Sequence, residues 1–277
     1  MLPQPENCDS VETMTEPSPS LNDLEIALAL ADLADEVTLG RFQAADLAVS
    51  RKADSTFVTD ADRHTEDVLR QYLQTHRSGD GIFGEERGAS GESNRTWVID
   101  PIDGTANFLR GVPVWATLIA LVIDEEVKVG VVSAPALQRR WWAARGEGAF
   151  SSFARQSPRR LQVSEVRSWE QASLSYSSLT GWHHYGHEEQ FRSLMDKCWR
   201  TRGFGDFWSY MLVAEGVVDI ACEPELEVYD MAALVPIVEE AGGKFTSLAG
   251  QPGPWGGNAL ATNGHFHQRV LDHLEWH

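Results

Sequence analysis

The chain has 277 residues, with 41 Asp and Glu against 23 Lys and Arg, for a formal net charge of −18. A 42% hydrophobic share with 23% charged residues supports an ordinary globular core and excludes a wholly disordered chain. The acidic balance excludes a general nucleic-acid binder, whose phosphate partner it would repel, and leaves a small phosphate ester open only if a metal supplies positive charge.

Residues 1–19 are rich in Pro, Ser and Glu and lack both a basic segment and an apolar one, so they read as a flexible tail and not as a signal peptide. Order is expected from residue 20 to 277 as a single unit, with an N-terminal half of about 20–150 and a C-terminal half of about 151–277. Ser20 with Asp23 predicts a helix start, and the spacing of Leu24, Leu28, Leu30, Leu33 and Val37 carries that helix to about Phe42. A second helix follows Thr59, with Val68, Leu69, Tyr72 and Leu73 inward. Gly81–Gly84 and Thr96–Ile99 read as strands. Val114–Ile123 and Val127–Ser133 form a hairpin across Asp124-Glu125-Glu126, and Arg140–Ala144 adds a strand. The longest apolar stretch, Val112–Ile123, is interrupted by Pro113 and Thr117, too short to cross a membrane. Beyond it come a strand at Ala172–Ser177, helices at His187–Lys197 and Asp206–Glu215, and a strand at Val217–Cys222. A helix at Met231–Ala241 contains Pro236, which should cost it a hydrogen bond. Strands at Lys244–Ser247 and Ala259–Thr262 precede a last helix near Gly264. This mixture predicts an α/β or α+β layered sandwich. Cys8, Cys198 and Cys222 are odd in number and widely spaced, so free thiols and a cytoplasmic location are expected.

Four acidic segments carry the chemistry. In Trp97-Val98-Ile99-Asp100-Pro101-Ile102-Asp103-Gly104-Thr105 a strand runs into two carboxylates. Pro101 and Gly104 shape a turn that can converge Asp100, Asp103 and the Ile102 carbonyl, the oxygen donors that Mg²⁺ prefers. An Asp-rich turn with Asp103 capping a helix is the structural alternative. Gly84-Glu85-Glu86 ends a strand and gains meaning only beside such a site. Asp230, in Val228-Tyr229-Asp230, reads by itself as a helix cap, and a cap can also be a metal ligand where the helix end points into a site. Lys52-Ala53-Asp54 with Val58-Thr59-Asp60-Ala61-Asp62 is by itself a strand-to-helix junction.

Together, in this order and with Glu240-Ala241-Gly242-Gly243 near the end, these segments resemble the inositol monophosphatase family of Mg²⁺-dependent phosphatases. The resemblance runs from about residue 20 to the end, and departs in one place: Tyr229 stands where members often have Trp. It implies an αβαβα sandwich of the inositol monophosphatase and fructose-bisphosphatase type, commonly a homodimer. It implies one Mg²⁺ on Glu85, Asp100 and the Ile102 carbonyl, a second on Asp100, Asp103 and Asp230, and a third, weaker ion near Glu85. Thr105, oriented by Asp62 and assisted by Glu85, would activate the water that attacks phosphorus in line. Gly104 and Thr105 N–H groups would grip the phosphate, and Asn107 would stiffen the loop.

For the organic part of the substrate, the resemblance places Glu223 and, at the start of a helix, Asp206, where inositol-preferring members carry small neutral residues. Two carboxylates suit a cationic ester, although Asp206 also suits a plain helix cap. The runs Gly130–Ala144, Arg110–Ala116 and Gly205-Asp206-Phe207 resemble the actinobacterial histidinol-phosphatase branch, which implies hydrolysis of L-histidinol phosphate in histidine biosynthesis. Inositol-1-phosphate or another small ester is the alternative. Trp115 is either a surface for the imidazole or core, and Trp141 and Trp142 are packing or interface residues.

Overall fold

The computed structural model describes residues 22–51 and 57–276. The expected tail, the Ser20 cap, Cys8, Lys52 and Asp54 lie outside the described residues. The first helix, α1 (Asp23–Arg41), is capped by Asn22, whose side chain accepts the N–H of Glu25 while Glu25 accepts that of Asn22. This reciprocal pair satisfies two orphan donors, the role expected of Ser20. Strands β1 (Val49–Arg51) and β2 (Phe57–Thr59) pair as a small antiparallel ribbon that leads into α2 (Asp60–His76).

The rest of this half is β3 (Gly81–Gly84), β4 (Gly88–Ser90), β5 (Arg95–Asp103), the short α3 (Thr105–Arg110), β6 (Ala116–Ile123), β7 (Glu126–Ala134), β8 (Arg139–Ala144), β9 (Gly148–Phe153) and β10 (Arg159–Arg160). These strands form an eight-stranded sheet in the order β10-β9-β8-β7-β6-β5-β3-β4, antiparallel except for the β3–β5 pair. Strands β4, β9 and β10 had no apolar run long enough to announce them.

The second half contains β11 (Ser173–Ser175), α4 (Thr180–His184), α5 (Glu188–Lys197), β12 (Arg200–Arg202), α6 (Asp206–Ala214), β13 (Ile220–Glu223), α7 (Val228–Met231), α8 (Leu234–Glu240), β14 (Lys244–Thr246), β15 (Ala259–Thr262) and α9 (His267–Leu274). Its five-stranded sheet has the order β12-β11-β13-β15-β14.

Three apolar clusters stack these elements into five layers. Helices α1 and α2 bury Ile26, Leu30, Leu69 and Leu73 against Trp97, Ile99, Ile119 and Val131 of the large sheet. On its other face, Val98, Leu118, Val132 and Trp141 meet Met211, Leu234 and Ile237 of α6 and α8, and the same cluster reaches Ala221, Phe245 and Ala261 of the small sheet. The far side of the small sheet is covered by Trp182, Phe191, Leu194 and Val270. The order is α, β, α, β, α, as the expected sandwich requires.

The helix expected over Met231–Ala241 is broken in two. Pro236 is the third residue of α8, where an N–H has no helical partner in any case, so the expected loss of a hydrogen bond does not occur. Its ring and the Ala233 carbonyl press on Gly130 of β7, where a Cβ would collide with both. Trp115 is fully buried with Phe42 and Phe108, at ring-centroid distances of 5.3 and 5.0 Å. It is core, and so offers no surface to a substrate. Trp141 is buried against Phe207, and half-buried Trp142 stacks on Phe150. Cys198 and Cys222 are free. Among the described residues no helix is long and apolar enough to cross a membrane.

Candidate metal centre and active site

Strand β5 supplies two of the acids through an irregularity. Asp100 pairs with Leu118 and Asp103 with Ala116, so three steps along β5 oppose two along β6. In a regular strand residues i and i+3 face opposite sides; the extra residue of the bulge brings both carboxylates to the same side. Asp100 Oδ1 accepts the Ile102 N–H at 2.9 Å, and buried Thr117 donates to the Pro101 carbonyl at 2.8 Å, which holds the bulge. Gly104 then takes φ +82°, a left-handed conformation that starts α3. Asp103 is thus not the cap of α3; Gly104 is. Asp103 Oδ2 instead accepts the N–H of Phe207 at the start of α6, at 2.8 Å.

Asp230 completes the cluster. One oxygen from each of Asp100, Asp103 and Asp230 lies within 4.8 Å of the others. The cap of α7 is Glu227, not Asp230: Asp230 sits three residues on, and its carboxylate accepts the Glu227 N–H at 2.8 Å. That hydrogen bond fixes the side chain while leaving an oxygen for the cluster. Glu85 follows β3 directly, its N–H donating to the Ile99 carbonyl at 3.1 Å, which sets it beside Asp100. Its charge acts on Asp62, Asp100 and Asp230.

Burial and neighbouring carboxylates raise Asp62, Asp100, Asp103 and Asp230. Asp100 and Asp103 are held well above the ordinary carboxylate range, first by burial and then by neighbouring carboxylates. Burial, with the charge of Glu85, pushes Asp230 up to about 7. Buried like charges of this kind are stable as carboxylates only beside a cation, and the all-oxygen donor set fits a hard divalent ion.

Asp62 lies in the first turn of α2, where its Oδ2 accepts the N–H and hydroxyl of the Thr59 cap. Its other oxygen, Oδ1, lies 3.3 Å from Thr105 Oγ1, which is also 3.0 Å from the Ile102 carbonyl. The threonine proton is therefore directed at acceptors, and its lone pairs remain to receive a proton from a water. Asp206 and Glu223 lie near Asp103, and the charges of both act on it. Burial pushes Asp206 up to about 6 and Glu223 up to about 8. Asp206 does not cap α6: Gly205 occupies the cap position, and Asp206 Oδ2 accepts the Asn107 side-chain amide at 3.0 Å. Asn107 stiffens the loop as expected, its amide also donating to the Val114 carbonyl at 2.9 Å.

With this constellation in place, the sequence matches the inositol monophosphatase family over residues 22–276. The chain belongs to that family. It is 59% identical to a histidinol-phosphatase of Mycobacterium tuberculosis, over 92% of this chain and 98% of the relative, and 52% identical to one of Streptomyces coelicolor, over 92% and 97%. A solved Thermotoga maritima inositol monophosphatase superposes with a TM-score of 0.81 at 29% identity, covering 91% of this chain and 96% of that one. The αβαβα fold is the family's, and family membership makes metal dependence the expectation for the acidic cluster.

Two supports of this inositol monophosphatase site escaped the sequence reading. Glu66, fully buried on α2, accepts the N–H groups of Glu86 and Arg87 and pairs with Arg70 at 2.7 Å. Gly84 lies directly on its carboxylate, with no room for a Cβ. A Glu one turn after Asp62, followed four residues later by Arg, was the available signal. Ser177 was the other: its hydroxyl accepts the Asp206 N–H at 2.9 Å.

Proposed function

We propose that this protein is a Mg²⁺-dependent phosphomonoesterase that hydrolyses L-histidinol phosphate to L-histidinol and phosphate. The observation that carries this reading is the pair of carboxylates, half-buried Asp206 and buried Glu223, whose charges both act on the metal-ligand candidate Asp103. Histidinol carries an ammonium and an imidazole, and such a pair would hold them by charge-assisted hydrogen bonds, each worth about 1.5–3 kcal/mol. The names of the 59% and 52% identical relatives support the same substrate.

In this reading Glu85, Asp100, Asp103, Asp230 and the Ile102 carbonyl hold two Mg²⁺ ions, with a third, weaker one near Glu85. The ions supply the positive charge that admits a phosphate to an acidic site and stabilises charge at phosphorus in the transition state. Thr105, oriented by Asp62, positions the attacking water, and Glu85 assists in taking its proton. The Gly104 and Thr105 N–H groups hold phosphate oxygens. The water oxygen bonds to phosphorus as the bond from phosphorus to the ester oxygen breaks, and the leaving alkoxide takes a proton from solvent water, so that no net proton is left on the protein. The location we assign is the cytoplasm, consistent with free Cys198 and Cys222. We also assign a homodimer, for which exposed Val112, Tyr185, Trp199 and Val217 offer apolar surface.

The test is phosphate release from L-histidinol phosphate and inositol-1-phosphate side by side, with and without Mg²⁺. A preference of about a hundredfold for histidinol phosphate, equivalent to two charge-assisted contacts, is expected. No preference, or the reverse, would retain a family phosphatase and reject the substrate.

A further inference from the structure

We propose that Asp206 is also a positioning residue for the metal-ligand candidate Asp103, acting through the backbone of the turn it occupies. Asp206 has φ +48°, in the left-handed region, directly after Gly205 at φ +82°. A side-chain-bearing residue is rare there, and Asp is among those that tolerate it. The conformation is held at both ends. The Asp206 N–H donates to Ser177 Oγ at 2.9 Å, and its Oδ2 accepts the Asn107 amide at 3.0 Å. The same oxygen packs against the Gly104 turn, where an added Cβ would lie 3.3 Å from it.

The consequence falls on the next peptide. The dihedral angles of residue 206 aim the Phe207 N–H, and that N–H donates to Asp103 Oδ2 at 2.8 Å. Were residue 206 to relax to the right-handed region, this N–H would turn away and release the Asp103 carboxylate. Residue 206 thus joins two functions, a carboxylate facing the organic part of the substrate and a backbone that orients a metal ligand. The second function does not depend on which ester is hydrolysed.

Charge and backbone separate in a substitution series. Asp206→Gly, Asp206→Ala and Asp206→Val all remove the carboxylate, but only Gly adopts the left-handed conformation freely, Ala less readily and β-branched Val least. Mg²⁺ affinity of the full chain, measured by calorimetry beside thermal unfolding of the metal-free protein, reads the difference. Binding by Asp206→Gly is expected within about threefold of the original protein, and binding by Asp206→Val about tenfold weaker than by Asp206→Gly, with Ala between. Equal Mg²⁺ affinity in Gly and Val, with only the melting temperature changed, would overturn the proposal. So would equally large losses in both, which would assign the effect to the missing charge. Should the Val protein not fold, the Gly–Ala comparison decides in the same way.

Discussion

The buried carboxylate of Glu66 accepts the backbone N–H of Glu86 at 2.7 Å, so a residue of α2 shapes the turn that sets Glu85 beside the acidic cluster. Glu66 is fully buried and its ion pair with Arg70 is nearly so. Removing one partner of a buried pair leaves the other charge uncompensated, which costs about 3–5 kcal/mol. Glu66→Ala should therefore lower the melting temperature sharply and weaken Mg²⁺ binding. Calorimetric Mg²⁺ titration of Glu66→Gln, which keeps the shape, separates the two effects. Unchanged Mg²⁺ affinity in both variants would make Glu66 a matter of stability alone.

Asp100→Asn should abolish Mg²⁺-dependent turnover, by on the order of a thousandfold or more, because a metal centre contributes several kcal/mol to the transition state. The same change removes one of the like charges crowded into a buried site. The metal-free variant should accordingly melt above the metal-free original. Phosphate release and thermal unfolding measure the two halves, and near-normal turnover would remove Asp100 from the site.

Glu223 predicts a pH dependence. Its folded-state pKa, about 8, stands above its ordinary value of 4.5, mainly through burial. The folded protein therefore binds a proton there more tightly than the unfolded chain. That contribution to stability is complete below about pH 4.5 and is lost as the pH rises through about 8. Glu223→Gln should lessen the fall in metal-free stability between these limits. Melting curves across that range check it, and parallel curves for the two proteins would contradict it.

Gly130→Ala tests the packing of the two halves. A methyl group at 130 would run into the Ala233 carbonyl and the Pro236 ring. Overpacking of this kind costs about 1–3 kcal/mol. Denaturant unfolding should show the loss; a wild-type midpoint would mean that α8 can shift outward without cost.

Much of the site was legible because its determinants are local. Asp100, Asp103, Gly104 and Thr105 lie in one short segment, and the order of the acidic segments marked the family. Apolar periodicity marked α1, α2 and most strands of the large sheet. The ambiguities have local causes too. A helix cap is the alternative reading of Asp230 and Asp206 because a carboxylate before a helix often is one, whereas Glu227 and Gly205 hold those places. The helix over Met231–Ala241 was drawn through Pro236 because its apolar pattern continues where its backbone does not.

What the sequence by itself determined is the inventory: an acidic chain, the amphipathic elements of a layered sandwich, and the acidic segments that mark the family. Tertiary structure alone decided how that inventory meets. The Asp62–Thr105 contact spans 43 residues and the Phe207–Asp103 hydrogen bond 104. No spacing rule reaches across such distances. They exist because α2, the bulge of β5 and the start of α6 are each driven into place by burial of their apolar faces. That packing brings the charges of Asp206 and Glu223 to bear on Asp103, which no local pattern in the sequence could arrange.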